Sequence, residues 1–261
     1  MAYPFMVPSR KKTISGAPVL NAYPAFPYVE RAVPGASGDW ALGGSAASFT
    51  PIGGAATLTA QAATHVFGDN YVEMKAYQQG LVTNISETSE VTVWVAWRYI
   101  RAGAKTSIVT GNFPNGLASG FGITTSTDGG ITVTCFRAPG TAIVVNLSGG
   151  ARVPAGLSDG DIIFGAVSLA RIIENGSEVG TRIRVKLSTF AAAETVTTAT
   201  RVLSTNKLAL GDAFFSSASY TPVDNRVYSF GSLPMETTLD HLDELCERIS
   251  RRLTERGETV R

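Results

Sequence analysis

Charge is scarce in this chain. Only 16% of its 261 residues are Asp, Glu, Lys or Arg, and 22 basic against 21 acidic residues leave a net charge of +1. That balance gives no bulk attraction for a polyanion, and no block of like charge forms a basic anchor or an acidic tail, so a nucleic-acid partner is not expected. Cysteine is as rare. Cys135 and Cys246 are the two present, which is not a disulfide scaffold. They read as unrelated thiols packing as small hydrophobes rather than as a bridge pinning the C-terminus to the body. Two histidines, His65 and His241, without close Cys/His spacing give no zinc pattern, and no metal or other cofactor is expected. No run approaches the roughly 20 apolar residues that span a bilayer, so no membrane insertion is expected. The opening residues place prolines where the apolar helix of a signal peptide would lie, and the expectation is a product made in the cytoplasm.

Apolar residues, by contrast, are plentiful. A hydrophobic content of 44% is enough for a sizeable core and excludes global disorder. The most telling stretch is 91–100, Val-Thr-Val-Trp-Val-Ala-Trp-Arg-Tyr-Ile. Successive strand side chains point to opposite faces. Val91, Val93, Val95, Trp97 and Tyr99 therefore make one continuous apolar face, and the even positions a semi-polar one. Their β-branched and aromatic content suits a central strand with its odd face on the core.

The first 45 residues differ from the rest. Six of the twelve prolines fall in the first 34 positions, interleaved with Tyr3, Phe5, Tyr23, Phe26 and Tyr28. Such dense proline forbids helix interiors and central strands and leaves extended chain. Extended backbone with spaced aromatic anchors is suited to a groove on another protein, so 1–45 reads as an ordered docking arm, with the glycines at 35–38 and 43–47 as its hinge.

From about residue 46 to 234 the pattern is short strands and turns. Asp128-Gly129-Gly130 between two alternating runs is a hairpin signal, as is Asn175-Gly176. The segment 161–173 is long and almost wholly apolar, so it is a strand buried on both faces or a curved one. In 180–187, Ile183, Val185 and Leu187 alternate with Arg182, Arg184 and Lys186, and the basic row reads as a solvated face rather than an anion site. Further strands are expected at 198–203, 207–211 and 226–230, giving about a dozen in an all-β sandwich. A single helix closes the chain within 235–257. Leu239, Leu242, Leu245, Cys246, Ile249 and Leu253 form its apolar stripe, Thr237 a candidate N-cap and Gly257 a stop. Its stripe can cover the chain's own sheet or build a symmetric bundle with other copies.

The run 92–97, the Gly-Phe-Gly-Ile strand at 120–123, the buried strand at 162–167, the Leu-Ala-Leu-Gly-Asp turn at 208–212 and the helix after Val227-Tyr-Ser-Phe-Gly231 together resemble a concanavalin A-like, laminin-G-type jelly roll. The ending, with Arg256-Gly257 near the terminus, is similar to the version in tailed-phage structural proteins. The resemblance covers about 48–257. It implies an all-β jelly-roll sandwich with an extended N-terminal arm and one C-terminal helix. It further implies a virion protein of the tail or baseplate that attaches the particle to a host-surface glycan or protein. By the same analogy the chain is a homotrimer, held through its arm by other tail or baseplate proteins.

Glycan hydrolases of this fold resemble a template of acids alternating on one strand, Glu-x-Asp-x-x-Glu, facing one cleft. No strand here supplies it, and no nucleophile elbow, zinc-protease motif or phosphate loop occurs, so no catalytic residue is assigned. A binding module would instead use exposed aromatics beside Asp and Asn on rim loops. Asp212, Phe214, Phe215 and Tyr220 form the richest set, with Asn112 and Asn115, and the region of Asp69 and Asn70, as weaker ones. The alternative for the pair Phe214 and Phe215 is that one plugs the core and the other packs on a neighbouring subunit. Asp212 or Asp128 could serve a calcium site of the family type, although Asp in a glycine turn is commonly turn chemistry. A capsid decoration or tail-scaffold protein without receptor contact is the alternative role, and a lectin or glycan hydrolase a third.

Overall fold

The computed structural model describes residues 31–61, 65–74, 80–101, 106–114, 117–138, 141–148, 150–211, 213–214 and 225–261. Its strands in chain order are β1 Gly38–Ala41, β2 Gly53–Gly54, β3 Leu58–Ala60, β4 Val66–Phe67, β5 Val72–Met74, β6 Leu81–Ser86, β7 Val91–Arg98 and β8 Ser107–Gly111. They continue with β9 Phe121–Thr125, β10 Ile131–Ala138, β11 Thr141–Asn146, β12 Ile162–Glu174, β13 Ser177–Leu187, β14 Phe190–Thr197, β15 Lys207–Leu210 and β16 Asn225–Leu233, before helix α1 Leu239–Glu255. One sheet runs β14-β13-β12-β7-β16-β1-β2, with β5 on β16 and β4 on β5, and the other runs β11-β10-β9-β8-β15-β6-β3. All ladders between strands are antiparallel. This is a jelly-roll sandwich with one C-terminal helix.

The alternation in β7 decides how the layers stack. Val91, Val93, Val95, Trp97 and Tyr99 enter the core between the sheets, as expected. The even face is not semi-polar in effect. Trp94 and Ala96 are fully buried in a second apolar cluster with Phe164 and Ala166 of β12 and with Leu242, Leu245, Ile249 and Leu253 of α1. β12 is therefore buried on both faces along 162–170, which resolves its nearly continuous apolar run. Burying each of those leucines and isoleucines contributes roughly 1.5–3 kcal/mol, so the helix stripe is occupied by its own sheet and supplies no seam for a bundle of copies. Thr237 is drawn onto the two central strands instead of capping, with its Oγ1 2.6 Å from that of Thr92 and its N donating to Ser168 Oγ at 2.8 Å. The N-cap is Thr238, whose Oγ1 accepts from His241 N at 3.3 Å. At the other end Gly257, at φ 86°, allows Glu258 N to reach Leu253 O at 2.9 Å, closing the helix as a Schellman turn.

Three expectations change. The chain from 38 onward is not arm or hinge. β1 pairs with β16, and Asp39, Trp40 and Leu42 are fully buried, so the compact body begins before residue 45. The basic row of β13 is not a solvated face, because α1 begins above it. Arg182 and Arg184 pair with Glu236 at 3.0 and 2.9 Å, and Lys186 reaches Asp243 at 2.7 Å. The eight-residue strand Phe190–Thr197, weak in β propensity at its three alanines, takes the edge by a tight return from β13, and the strand expected at 198–203 is irregular chain. The hairpin turns hold: Asn175 and Gly176 both take positive φ, 50° and 78°. Both cysteines are free thiols in different clusters, and burial pushes Cys135 up to about 12.

The two ends of the described chain meet in a buried ion pair. Arg252 of α1 donates from Nη1 and Nη2 to the two carboxylate oxygens of Asp39 in β1, each at 2.8 Å, with side chains 1% and 0% exposed. Val33 N donates to the same carboxylate at 2.8 Å, and Arg252 also reaches Arg31 O at 3.0 Å. Removing one member strands the other charge in the interior, which costs about 3–5 kcal/mol. Asp39→Ala and Arg252→Ala are each expected to lower the urea unfolding free energy by that much, and a loss under about 1 kcal/mol would refute the clamp. A chain beginning at Arg31 should still unfold cooperatively, whereas one beginning at Leu42, lacking Asp39 and Trp40, should not.

Candidate functional site

The loop rich in aromatics leaves the body where β15 ends. Gly211 N donates to Val109 O at 2.9 Å, and Gln61 Nε2 donates to Ala213 O at 2.8 Å. Ala213 is buried and Phe214 half-buried, so the loop begins as a plug over the end of the core. Asp212, Phe215, Tyr220 and Asn115 lie outside the described residues, as do the arm aromatics Tyr3, Phe5, Tyr23, Phe26 and Tyr28.

Asn112 is described, and it is not a contact residue on this rim. It sits at the other end of β15, fully buried, and both ends of its carboxamide are engaged. Its Nδ2 donates to Glu87 Oε2 at 2.8 Å while Oδ1 accepts from Phe121 N at 2.9 Å. Glu87 also accepts from Ser204 N at 2.8 Å and pairs with Arg201, whose Nη2 reaches the carbonyls of Thr88 and Ser89 at 3.1 Å. This buried cluster ties the irregular 198–206 chain to the sheet, which explains why that segment is no strand. Asn70 likewise has a structural task, donating from Nδ2 to Arg256 O at 2.8 Å beyond the helix end.

The rim around the β15–β16 loop is built from several strand ends. Asn225, opening β16, donates from Nδ2 to Ser107 Oγ at 3.1 Å, and Ser107 pairs with Thr125 at the end of β9. The β9–β10 turn follows, and Tyr99, just past β7, donates its hydroxyl to Gly129 O in that turn at 2.8 Å. Burial is the main reason the Tyr99 phenol is raised above its ordinary value. Beside it Arg101 N donates to Asp159 Oδ1 at 2.8 Å, and Gly160 N returns to Tyr99 O at 2.8 Å. The result is a rigid frame bearing exposed charge of both signs. Arg101 is exposed, and Arg152 lies 3.4 Å from Asp128 with side chains 60% and 47% exposed.

Asp128 behaves as turn chemistry. Its carboxylate accepts from Ser126 Oγ and, at 3.2 Å, from Gly130 N. The Ser126 hydrogen bond first, then that of Gly130, hold its pKa below the ordinary value, with Arg152 a smaller cause. Among the described residues no group of three His, Cys, Asp or Glu is placed to hold a metal ion. The buried acids serve the frame: Asp39 and Glu87 in the ion pairs above, and Glu73 accepting from Arg226 Nε at 3.1 Å. Arg101 and Asp159 escaped sequence reasoning because the return of β12 to β7 brings them together, and Arg152 because Ile131 N, donating to its carbonyl at 3.2 Å, holds it beside the β9–β10 turn. Tyr99, closing the odd face of β7, was the one local signal.

No protein-family model and no curated protein sequence matches the chain. Solved structures do resemble it. The botulinum neurotoxin serotype D binding domain superposes with a TM-score of 0.54 at 8% identity, over 82% of this chain and 50% of that one. A ligand binding domain of the same serotype in complex with N-acetylneuraminic acid gives 0.55 at 7% identity, over 82% and 50%. The Trypanosoma rangeli sialidase gives 0.59 at 10% identity, over 85% and 34%. The likeness is one of fold. This chain spans half the length of those toxin domains and about a third of the sialidase.

A depressed carboxylate pKa stabilises the folded state above the ordinary Asp range, and that contribution disappears as pH falls through the folded value. The Gly130 amide should therefore titrate by NMR with a midpoint below the ordinary Asp value, and Asp128→Asn should abolish that step. A midpoint at or above the ordinary value would contradict the turn geometry. Tyr99→Phe leaves the Gly129 carbonyl without its donor, and about 1 kcal/mol of stability should be lost together with hydrogen-exchange protection in the 126–130 turn.

Proposed function

We propose that this chain is a phage virion protein of the tail or baseplate, whose sandwich attaches the particle to the host surface through the rim that carries the β15–β16 loop. The observation that carries the reading is that rim. It combines a frame fixed by Tyr99, Gly129, Arg101 and Asp159 with exposed guanidinium and carboxylate groups and with the aromatic loop beginning at Phe214. Arg101 and Arg152 suit an acidic sugar, because a guanidinium presents a planar fork to a carboxylate. The aromatic residues of the β15–β16 sequence, Phe214, Phe215 and Tyr220, are of the type that packs on the apolar face of a pyranose. Binding loops on a rigid scaffold are the common arrangement for recognition.

Three further facts support the assignment. The fold is shared with toxin domains whose names describe receptor binding and with one in complex with a sialic acid. The buried carboxylates are locked into the frame, which favours binding over glycan cleavage. The leading residues carry aromatic anchors among prolines, a composition that fits docking on a neighbouring tail protein. The trimer implied by analogy loses α1 as its seam, since the helix stripe faces its own sheet.

Purified protein should block adsorption of the particle to host cells. Arg101→Ala and Phe214→Ala should each weaken cell binding about tenfold, equivalent to about 1.4 kcal/mol, with unchanged circular dichroism. Cell binding that survives both substitutions would refute the rim as the contact. Particles that lose stability without the protein, but adsorb normally, would instead mark a decoration or scaffold role. Release of reducing sugar from host polysaccharide would mark a hydrolase.

A further inference from the structure

Open sheet edges are aggregation hazards, and folded proteins normally guard them by shortness, charge, proline or cover. Among the described residues the two sheets end in five edge strands, and four of them are guarded. β2 and β4 are two residues long and β3 three. β14 carries Glu194 in ion pairs with Arg184 at 2.6 Å and Arg182 at 3.8 Å. β11 is different. Its six residues, Thr-Ala-Ile-Val-Val-Asn, hold no charge and no proline, and among the described residues it pairs with β10 alone. Ile143 and Val145 pack towards the core, while Val144 on the outer face is 58% exposed.

We propose that β11 is a dimerisation edge that pairs antiparallel with β11 of a second copy across a two-fold axis. The occupant follows from the pattern of the strand. Continuing a sheet requires opposed residues to share a face, so a two-fold register must be centred on a residue. Centred on Val144, it sets Val144 against its own copy, Ile143 against Val145 and Ala142 against Asn146. Every opposed pair is uncharged, so the strand meets none of the like-charge repulsion that disfavours self-pairing. An isologous contact of this kind is the commonest route to a homodimer. β14 lies on the same side of the sandwich, because β2 and β3, adjacent in sequence, occupy the other side. The contact is therefore one strand edge about 20 Å long with its flanks, at the low end of the roughly 1,200 Å² of stable interfaces. A contact of that size suits a dimer that dissociates on dilution.

Sedimentation of the full chain tests this directly. The wild-type protein should be mostly dimer at about 100 micromolar and dissociate on dilution through the micromolar range. Val144→Lys, at an exposed position, should keep the same thermal unfolding midpoint and raise the dissociation constant at least tenfold. Val144→Cys should cross-link to a covalent dimer with a short bis-maleimide, whereas Val196→Cys on β14, equally exposed at 58%, should not. The native thiols Cys135 and Cys246 are 0% and 8% exposed, and the wild-type protein serves as their control. A wild-type chain that stays monomeric at about 100 micromolar overturns the proposal. So does an oligomer that Val144→Lys leaves intact, because its interface would then lie elsewhere.

Discussion

Everything in this fold hangs on joining the last element of the chain to the first, and one buried ion pair does so. Arg252 and Asp39 form two parallel 2.8 Å contacts in the interior. Desolvating two charges is expensive, and a well-packed apolar pair could have been as stable. What charge adds is placement. The guanidinium fork accepts only one orientation of the carboxylate, and Nη1 and Nη2 also reach Ser229 Oγ and Arg31 O. α1 therefore settles at one depth and one angle over the sheet, and β1 is held in register against β16. A greasy helix on a greasy sheet would have had several near-equivalent positions.

The helix converts a two-layer sandwich into three layers over part of its surface. β7 and β12 are covered from both sides, which is why the most hydrophobic stretches of the chain lie at the centre of one sheet. That arrangement takes the helix face and the outer face of the β12–β7 region out of play for partners. Among the described residues the rims, where strands hand over to loops, and the lateral edges of the sheets stay open to other molecules. The proposed receptor contact and the proposed dimer contact occupy one of each, and neither competes with the core.

Ionisable groups divide along the same line. Asp39, Glu73 and Glu87 are buried and hold backbone segments of remote sequence together, whereas Arg101, Asp128 and Arg152 stand on the rim in water. The same sandwich serves toxin binding domains and a sialidase, so the fold does not choose between recognition and catalysis. The disposition of the acids does more to separate them. A retaining or inverting hydrolase needs two carboxyls facing one substrate, and the best-shielded carboxyls here each face an arginine of the frame.

The class of fold and much of its detail were legible in the sequence: the period-two pattern of 91–100, the hairpins at Asp128–Gly130 and Asn175–Gly176, and the single amphipathic helix with its glycine stop. These are local properties, set by φ preferences and side-chain alternation over a few residues. Where the helix would dock was not legible, and four readings turned on it. The basic row of β13 pairs with residues preceding and opening α1, the even face of β7 is buried, Thr237 is drawn inward, and the chain at 38–42 belongs to the body. Asn112 followed the same logic, since Glu87, Arg201 and Ser204 reach it from positions far along the chain. Alternation tells which side chains share a face, but what lies over that face depends on contacts between segments up to 221 positions apart, and only folding in three dimensions brings those together.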